Sequence, residues 1–298
     1  TSYVESIARQ RASNPLSTKS YQEWLAELNQ VYGLDKGIIP GFFGWMGNAI
    51  KGDFGDSWHY GIPVTDKFAD VIWVSMILNV ITTLVQFFIA IPLGILAARK
   101  QYSRTDYAIT FFALMGISLP TFFLATILKY VFAIKLQWFD LYGLTGRFHT
   151  TMTPFQQTMD IAYHLVLPVI TLMMLSIGSL MRYTRTNMLE VLNSDYIRTA
   201  RAKGLPEKVV INKHAFRNTL IPLVTSLSGI LPGMFTGAMI TETLYQIPGI
   251  GYISYQAIIR GDIPFAMFYM VFLILLTQVS ILLSDILYAI VDPRIRVN

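Results

Sequence analysis

NSDYIRTARAKGLPEKVVINKHAFRN, residues 193–218, is polar and basic and lies between two long apolar runs, Leu165–Met181 and Leu220–Ile240. Its local chemistry reads as two short helices joined by a tight turn. Ser194 or Asp195 can cap the first helix by accepting a bond from a free backbone N–H. Gly204 suits the left-handed residue that ends that helix, and Pro206 the first position of the next. Ala200, Ala202 and Gly204 are small enough to let a neighbouring surface approach the backbone, and Arg198, Arg201 and Lys203 place charge around that contact. In a soluble chain the stretch would read as a basic helix-turn-helix for DNA. Between two membrane spans it reads as a docking element on the membrane face.

The runs on either side make the membrane reading. Of 298 residues, 53% are hydrophobic and 14% charged, against roughly 25% charged in an average soluble domain. Five apolar runs, near Ile72–Ala98, Tyr107–Ile134, Leu165–Met181, Leu220–Ile240 and Phe265–Val291, are each long enough to cross a hydrocarbon core of about 30 Å. The fold expected is therefore an all-α, polytopic helical membrane protein. There is no cysteine, which excludes disulfides and thiolate metal sites.

Lys and Arg fix the orientation. Arg99, Lys100 and Arg104 follow the first run; Arg182, Arg185 and the basic residues of 193–218 follow the third; Arg294 and Arg296 follow the fifth. The alternate loops carry little: Arg147 beyond the edge lysine in Lys135–His164, and Arg260 in Thr241–Pro264. The basic links, with the tail 293–298, face the cytoplasm, and residues 1–70 lie outside. Five spans with an external start leave one preceding span to be expected, six in the intact chain. The chain opens at Thr1 without an initiator Met or a visible signal peptide, so an N-terminal piece is expected to be missing.

Residues 1–70 read as an extracytoplasmic segment, followed by a transmembrane domain over 71–292. Trp24, Leu25, Leu28 and Val31 recur at helical spacing and predict an amphipathic helix over Tyr21–Leu34. The Gly- and aromatic-rich stretch after it, GIIPGFFGWMGNAIKGDFGDSWHYGIP, reads as a packed segment with an interfacial aromatic belt; the sharper alternative is direct contact with substrate or a delivery protein.

Within the spans, Pro92, Pro120, Pro168, Pro222 and Pro232 each remove a backbone bond that neighbouring groups must replace. Gly229, Gly233 and Gly237 repeat every four residues and predict a smooth helix face, for packing or for a moving gate. Lys129 and Asp285 sit near span ends, placed to snorkel or line a rim. Candidate path liners are neutral: Asn79, Gln86, Ser118, Thr121, Thr225, Ser228 and Gln278; helix-packing bonds are the competing reading for each. No carboxylate sits near a midplane, which weakens a proton- or sodium-coupled carrier.

Catalytic constellations are missing. His59, His149, His164 and His214 are far apart and carry no metal-ligand spacing, so no metal site is expected. No G-x-x-x-x-G-K-[ST] loop occurs, so a nucleotide would have to be hydrolysed on another polypeptide.

TARAKGL (Thr199–Leu205), followed by HAFRNTLIPLVT (His214–Thr225), closely resembles the cytoplasmic signature loop of permease subunits in binding-protein-dependent ABC importers, most of all the dipeptide/oligopeptide/nickel branch. The pattern there is E-A-A-x-x-x-G and, nine residues on, I-x-L-P. Arg198-Thr199-Ala200 stand at the first three places, Gly204 at the glycine and His214-Ala215-Phe216-Arg217 at the last four. Arg217 in place of proline is a departure, which puts the usual kink into the next span on Pro222. YGLDKGIIPGFFGWMGNAIKGDFGDSWHYGIPV resembles the branch's external segment, ETLYQIPGIG (Glu242–Gly251) its outer loop, and IVDPRIR (Ile290–Arg296) its C-terminus.

The resemblance implies a multi-pass subunit of a bacterial or archaeal plasma (inner) membrane, not itself an enzyme. It would pair with a second permease around a path for oligopeptides or dipeptides delivered by an extracytoplasmic binding protein. Two ABC ATPase subunits would bind the ATP and Mg, leaving no cofactor on this chain. The coupling helix 195–204 would dock on an ATPase through Asp195, Tyr196, Arg198, Thr199, Ala200, Arg201, Ala202, Lys203, Gly204 and Leu205, with His214 and Arg217 beside it. Arg201 or Lys203 would pair with acidic groups there. Glu242, Pro248, Gly249 and Gly251 would form an outer-loop gate. Membrane lipid is the remaining partner, and nucleic acid is not expected. Two readings stand against this one: an ion-gradient-driven secondary transporter or channel, and a membrane-anchored nucleic-acid or signalling module.

Overall fold

The structure, a computed structural model, describes residues 3–13, 19–31, 37–219 and 230–291. It is all-α; among the described residues the backbone pairing outside helices and turns is one bridge, Asp56 to Pro63. The chain divides into two compact units, residues 1–70 with 253–272, and residues 71–252 with 273–298.

In the first unit, α1 (Tyr3–Ala12) packs on α2 (Tyr21–Val31) through buried Val4, Ala8 and Leu28, with Trp24, Leu25 and Trp58 around them. The amphipathic helix is where its apolar spacing placed it, over Tyr21–Val31; residues 32–34 lie outside the described residues. The Gly- and aromatic-rich stretch contains a helix that composition concealed, α3 (Ile38–Ala49). Asp262 is fully buried. It accepts bonds from the Ser57 hydroxyl and from the backbone N–H groups of Trp58 (3.1 Å) and His59 (3.2 Å), so one carboxylate fixes a whole turn.

In the second unit, α4 (Val64–Arg99) leads into α5 (Arg104–Ser118), which starts at Ser103, whose hydroxyl accepts from Asp106 N–H at 3.3 Å. Then follow α6 (Thr121–Leu128), a π-helical segment Lys129–Lys135, and α7 (Pro154–Leu192). Pro154 fills the first position of α7, and the Gln156 side chain accepts from Thr153 N–H at 3.0 Å. Beyond α7 come α8 (Asp195–Ala202), α9 (Glu207–Val209), a π-helical segment Val210–Ala215, α10 (Ile230–Phe235) and α11 (Met239–Tyr245); α12 (Ile250–Arg260) and α13 (Ile263–Val291) follow, with their residues 253–272 belonging to the first unit. The core joins Leu78 of α4, Leu124, Ala125 and Leu128 of α6, Leu165, Leu167 and Val169 of α7, and Tyr245 and Ile247.

Among the described residues, three helices are long and apolar enough to cross a membrane by themselves: Val64–Arg99, Pro154–Leu192 and Ile263–Leu283. The expected span Tyr107–Ile134 is a bent pair, Arg104–Ser118 with Thr121–Lys135, at 104°. The cause is Pro120, which forces Leu119 into extended backbone (φ −85°, ψ 131°) and so ends α5. Pro92 and Pro168 act differently: α4 and α7 continue through them. Residues 220–229 of the fourth run lie outside the described residues, and with them Pro222, Thr225, Ser228 and Gly229, as does the tail 293–298.

The expected glycine stripe is corrected. Gly237 is not on a helix; it takes a left-handed φ of 72°, its Cα side against Gly251. The close helix contacts lie elsewhere. A Cβ on Gly178 of α7 would strike the Ala113 carbonyl of α5, one on Gly116 of α5 the Met174 carbonyl of α7, and one on Gly94 of α4 would come within 2.7 Å of the Met181 carbonyl. Backbones can approach this closely only where side chains are absent.

Candidate functional site: the basic loop and the outer turn

The basic loop is built on a two-sided helix. Ile197 and Ala200, three residues apart on α8, face inward and are buried with Ala98, Met188, Val210, Ile211 and Ala215. Asp195, Tyr196, Arg198, Thr199, Ala202, Lys203 and Leu205 are exposed. Ala200 is thus small because α8 must sit close to its own chain, which corrects its placement on the outward surface. Ala202 and Gly204 remain outside, and a Cβ on Gly204 would meet nothing.

The ends of α8 differ from the sequence expectation at one side and match it at the other. Ser194 occupies the cap position in extended backbone, but neither it nor Asp195 caps the helix with a side chain: the Ser194 hydroxyl donates backwards to the Val191 carbonyl at 2.6 Å. Gly204 takes φ 76°, and Leu205 N–H reaches back to the Ala200 carbonyl at 3.4 Å. Pro206 precedes α9 as its cap rather than opening it.

Arg201 spans the turn to Glu207, Nη2 to Oε1 at 2.8 Å and Nε to Oε2 at 3.2 Å. This fork holds the Glu207 carboxyl below the usual carboxylate range and the guanidinium above its own. Arg201 therefore has an acidic partner within this chain, where the sequence reading gave it one on another subunit. Arg198 and Lys203 point outward. His214 is half-buried in the π-helical segment, Asn218 donates to its carbonyl at 2.9 Å, and Arg217 is exposed.

The outer turn converges on Glu242, which has no exposed surface. Its Oε1 accepts from the Ser75 hydroxyl at 2.7 Å and from Ala238 N–H at 2.9 Å, and its Oε2 from Tyr252 N–H at 2.9 Å. Ser75 in turn accepts from Ile250 N–H at 2.8 Å. Gly249 and Gly251 sit against this carboxylate: an added Cβ would stand 2.5 Å and 3.0 Å from Oε2. Three of the four outer-loop residues are therefore brought together, whereas Pro248 is exposed. Beside them Lys129 donates to the Leu244 carbonyl at 2.5 Å and lies over the Tyr142 ring at 3.9 Å. It is anchored rather than snorkelling; Asp285 is exposed.

Among the described path candidates, three side chains bond to backbone carbonyls. Asn79 donates to the Met234 carbonyl at 3.2 Å and Gln86 to the Ser176 carbonyl at 3.1 Å, both packing bonds between helices. The Ser118 hydroxyl returns to the Leu114 carbonyl of its own helix at 2.8 Å. Thr121 is half-buried next to the bend and Gln278 is exposed on α13.

Two of the four histidines are not far apart in space. Asp160 takes His149 Nδ1 at 2.7 Å on one oxygen and faces His164 Nδ1 at 3.3 Å with the other. Asp106, Ser75 and Asp262 are not among the residues that motif and spacing single out. Asp106 carried a signal, since it stands three residues after Ser103 at a helix start; the other two are defined only by tertiary neighbours.

The comparisons agree with one another. Residues 90–297 match the family described as "Binding-protein-dependent transport system inner membrane component". The oligopeptide transport system permease protein AppB of Bacillus subtilis is 39% identical over 266 residues, covering 89% of this chain and 83% of that one. OppB of Salmonella typhimurium is 34% identical over 275 residues (92% and 86%), and the dipeptide transport system permease DppB of Lactococcus lactis 35% over 285 residues (95% and 88%). Among solved structures, a chain of the MetNI methionine ABC transporter in its inward-facing conformations is similar in fold, with TM-score 0.58 at 15% identity over 76% of this chain and 96% of that one.

Proposed function

This chain belongs to the inner membrane components of binding-protein-dependent transport systems, and from that premise we propose that it is one of two permease subunits of an ATP-driven importer of oligopeptides or dipeptides. An extracytoplasmic binding protein delivers the cargo. Separate ATPase subunits hold the ATP and Mg and drive the cycle. The peptide-transport names of its relatives, AppB, OppB and DppB, support the cargo class.

The observation that carries the reading is the division of α8. Its underside, Ile197 and Ala200, locks it to α4 and α7, while Tyr196, Arg198, Thr199, Ala202 and Lys203 are exposed on its upper face. A force applied to that face passes into Met188 and Ala98, and so into two helices long enough to cross the membrane. Coupling then requires that an ATPase contact the face differently in the two states of the cycle, since equal contact in both shifts nothing. At the other end, the Glu242 turn is the outer gate.

The test is reconstitution of the chain with a second permease, its ATPase subunits and its binding protein in liposomes, followed by uptake of labelled peptides. Accumulation that needs ATP and the binding protein is expected. Uptake that follows an imposed ion gradient in the absence of any ATPase would overturn the proposal in favour of a secondary transporter.

A further inference from the structure

Helix α3 presents a largely exposed apolar face, with Met46 on it half-buried. Ile39, Phe42, Phe43, Met46 and Ile50 recur at i, i+3, i+4, i+7 and i+11, which places them on one stripe roughly 100° wide. Ile39 is 71% exposed, Phe43 65% and Ile50 81%. Gly44 and Asn48 occupy the opposite face, also exposed, and no charged residue lies anywhere on the helix.

The level at which this stripe sits follows from a run of aromatic rings within the same unit. Trp45, on the flank of α3, meets Phe54 edge-on at 6.2 Å, and Phe54 meets Phe268 at 4.6 Å. Phe68, near the start of α4, packs on Phe268 at 5.0 Å and on Phe272 at 4.6 Å. Phe268 and Phe272 belong to α13, whose segment Ile263–Leu283 is long and apolar enough to cross the membrane. Phe268 is five residues into that helix, about 8 Å along its axis. An amphipathic helix lying in the membrane surface buries its apolar face about 5–10 Å into the boundary between headgroups and acyl chains.

We infer that α3 is a membrane-surface helix whose Ile39–Phe43–Ile50 stripe is seated among lipid acyl chains at the external boundary of the bilayer. The occupant is lipid because the stripe continues, through Trp45 and Phe54, the flank of a helix that already crosses the membrane. With no Lys or Arg on the helix, attachment depends on apolar burial and is insensitive to headgroup charge.

The chain has no cysteine, so each introduced thiol is its only one. Ile39→Cys, Phe43→Cys, Gly44→Cys and Asn48→Cys, each labelled with a small fluorophore in the complete importer in lipid nanodiscs, are compared for quenching by shallow spin-labelled lipid and by aqueous iodide. At 39 and 43, lipid quenching should exceed that at 44 and 48 by about threefold or more, with iodide quenching reversed. Replacing neutral by anionic lipid should leave the ratio unchanged. Equal quenching at all four positions would overturn the inference. So would protection of 39 and 43 from both quenchers, which would identify a protein surface as the cover. Neither result bears on whether the importer carries peptides.

Discussion

Arg185 grips Asp106 with two parallel bonds of 2.7 Å, Nε to Oδ1 and Nη2 to Oδ2, across 79 residues of sequence. Asp106 is buried at the start of α5 and also accepts from Tyr102 N–H at 3.0 Å, so one carboxylate ties the short basic link between α4 and α5 to the C-terminal part of α7. Asp106→Ala leaves the guanidinium half-buried without its partner and should cost about 2 kcal/mol. A thermal-unfolding series with Arg185→Ala and the double variant checks it. The double variant should cost clearly less than the sum of the singles; simple additivity would show that the fork contributes nothing of its own.

Glu242→Gln should damage the outer turn more than its size suggests. Both carboxylate oxygens accept from backbone N–H groups, Ala238 on one side and Tyr252 on the other. Whichever way the amide is turned, its NH₂ meets an N–H donor. A loss of about 1–3 kcal/mol is expected, with a fall in peptide uptake. Gly249→Ala, whose Cβ would stand 2.5 Å from the same carboxylate, should reproduce the defect in unfolding and uptake assays; wild-type behaviour of both variants would remove the turn from the mechanism.

At the basic loop the two alanines separate folding from docking. Ala200→Leu forces a larger side chain into the cluster with Met188 and Ala215 and should lower the melting temperature of the chain, by about 1–3 kcal/mol of overpacking. Ala202→Leu, on the exposed side, should leave melting unchanged and reduce ATP-dependent uptake. Unchanged uptake in the second variant would argue against an ATPase seated on this face. Gly204→Val, which puts a β-branched residue at φ 76°, should uncouple hydrolysis from uptake.

The Arg201–Glu207 fork gives the loop a pH dependence whose sign is fixed. The Glu207 carboxyl is held below its usual value by the hydrogen bond from Arg201. Its contribution is therefore fully present above the unfolded-chain value and is lost as pH falls through the lower, folded one. Amide protection at Leu205, Glu207 and Lys208, corrected for the intrinsic exchange rate at each pH, should fall on acidification through the carboxylate range, and Glu207→Gln should show the lower protection above that range and converge with wild type below it. A wild-type loop with pH-independent local opening would contradict the assignment.

Helix α5 and helix α7 touch through glycine. Gly178→Ala, with its new methyl driven onto the Ala113 carbonyl, should destabilise the pair by about 1–3 kcal/mol. Gly233→Ala, where an added Cβ meets nothing within 4 Å, should be silent in the same unfolding assay.

The contrast between those two glycines shows what a single chain discloses. Spacing alone favours Gly229, Gly233 and Gly237, a perfect four-residue repeat, yet Gly178 and Gly116 make the contact because their helices happen to lie opposite each other. The spans were legible as composition, and the basic loop through Gly204, whose backbone requirement is local. The Tyr107–Ile134 bend was less so: apolar content is the same on both sides of Pro120, and only the Leu119 backbone reveals the turn. α3 was hidden because three of its residues are glycine, though its aromatic residues keep helical spacing. Asp106 with Arg185, and Ser75 with Glu242, join residues far apart in sequence, and nothing in the intervening chain announces such pairs.

The wide helical segment Val210–Ala215 follows α9 directly within the basic loop, and its geometry has a mechanical meaning. A π turn carries about one residue more than an α turn. Tightening it to α geometry would rotate Phe216–Thr219 by about 100° about the axis without breaking the helix. The segment thus holds slack, as a coil does in a torsion spring: twist fed in at the loop can be stored or released there before the next helix has to move.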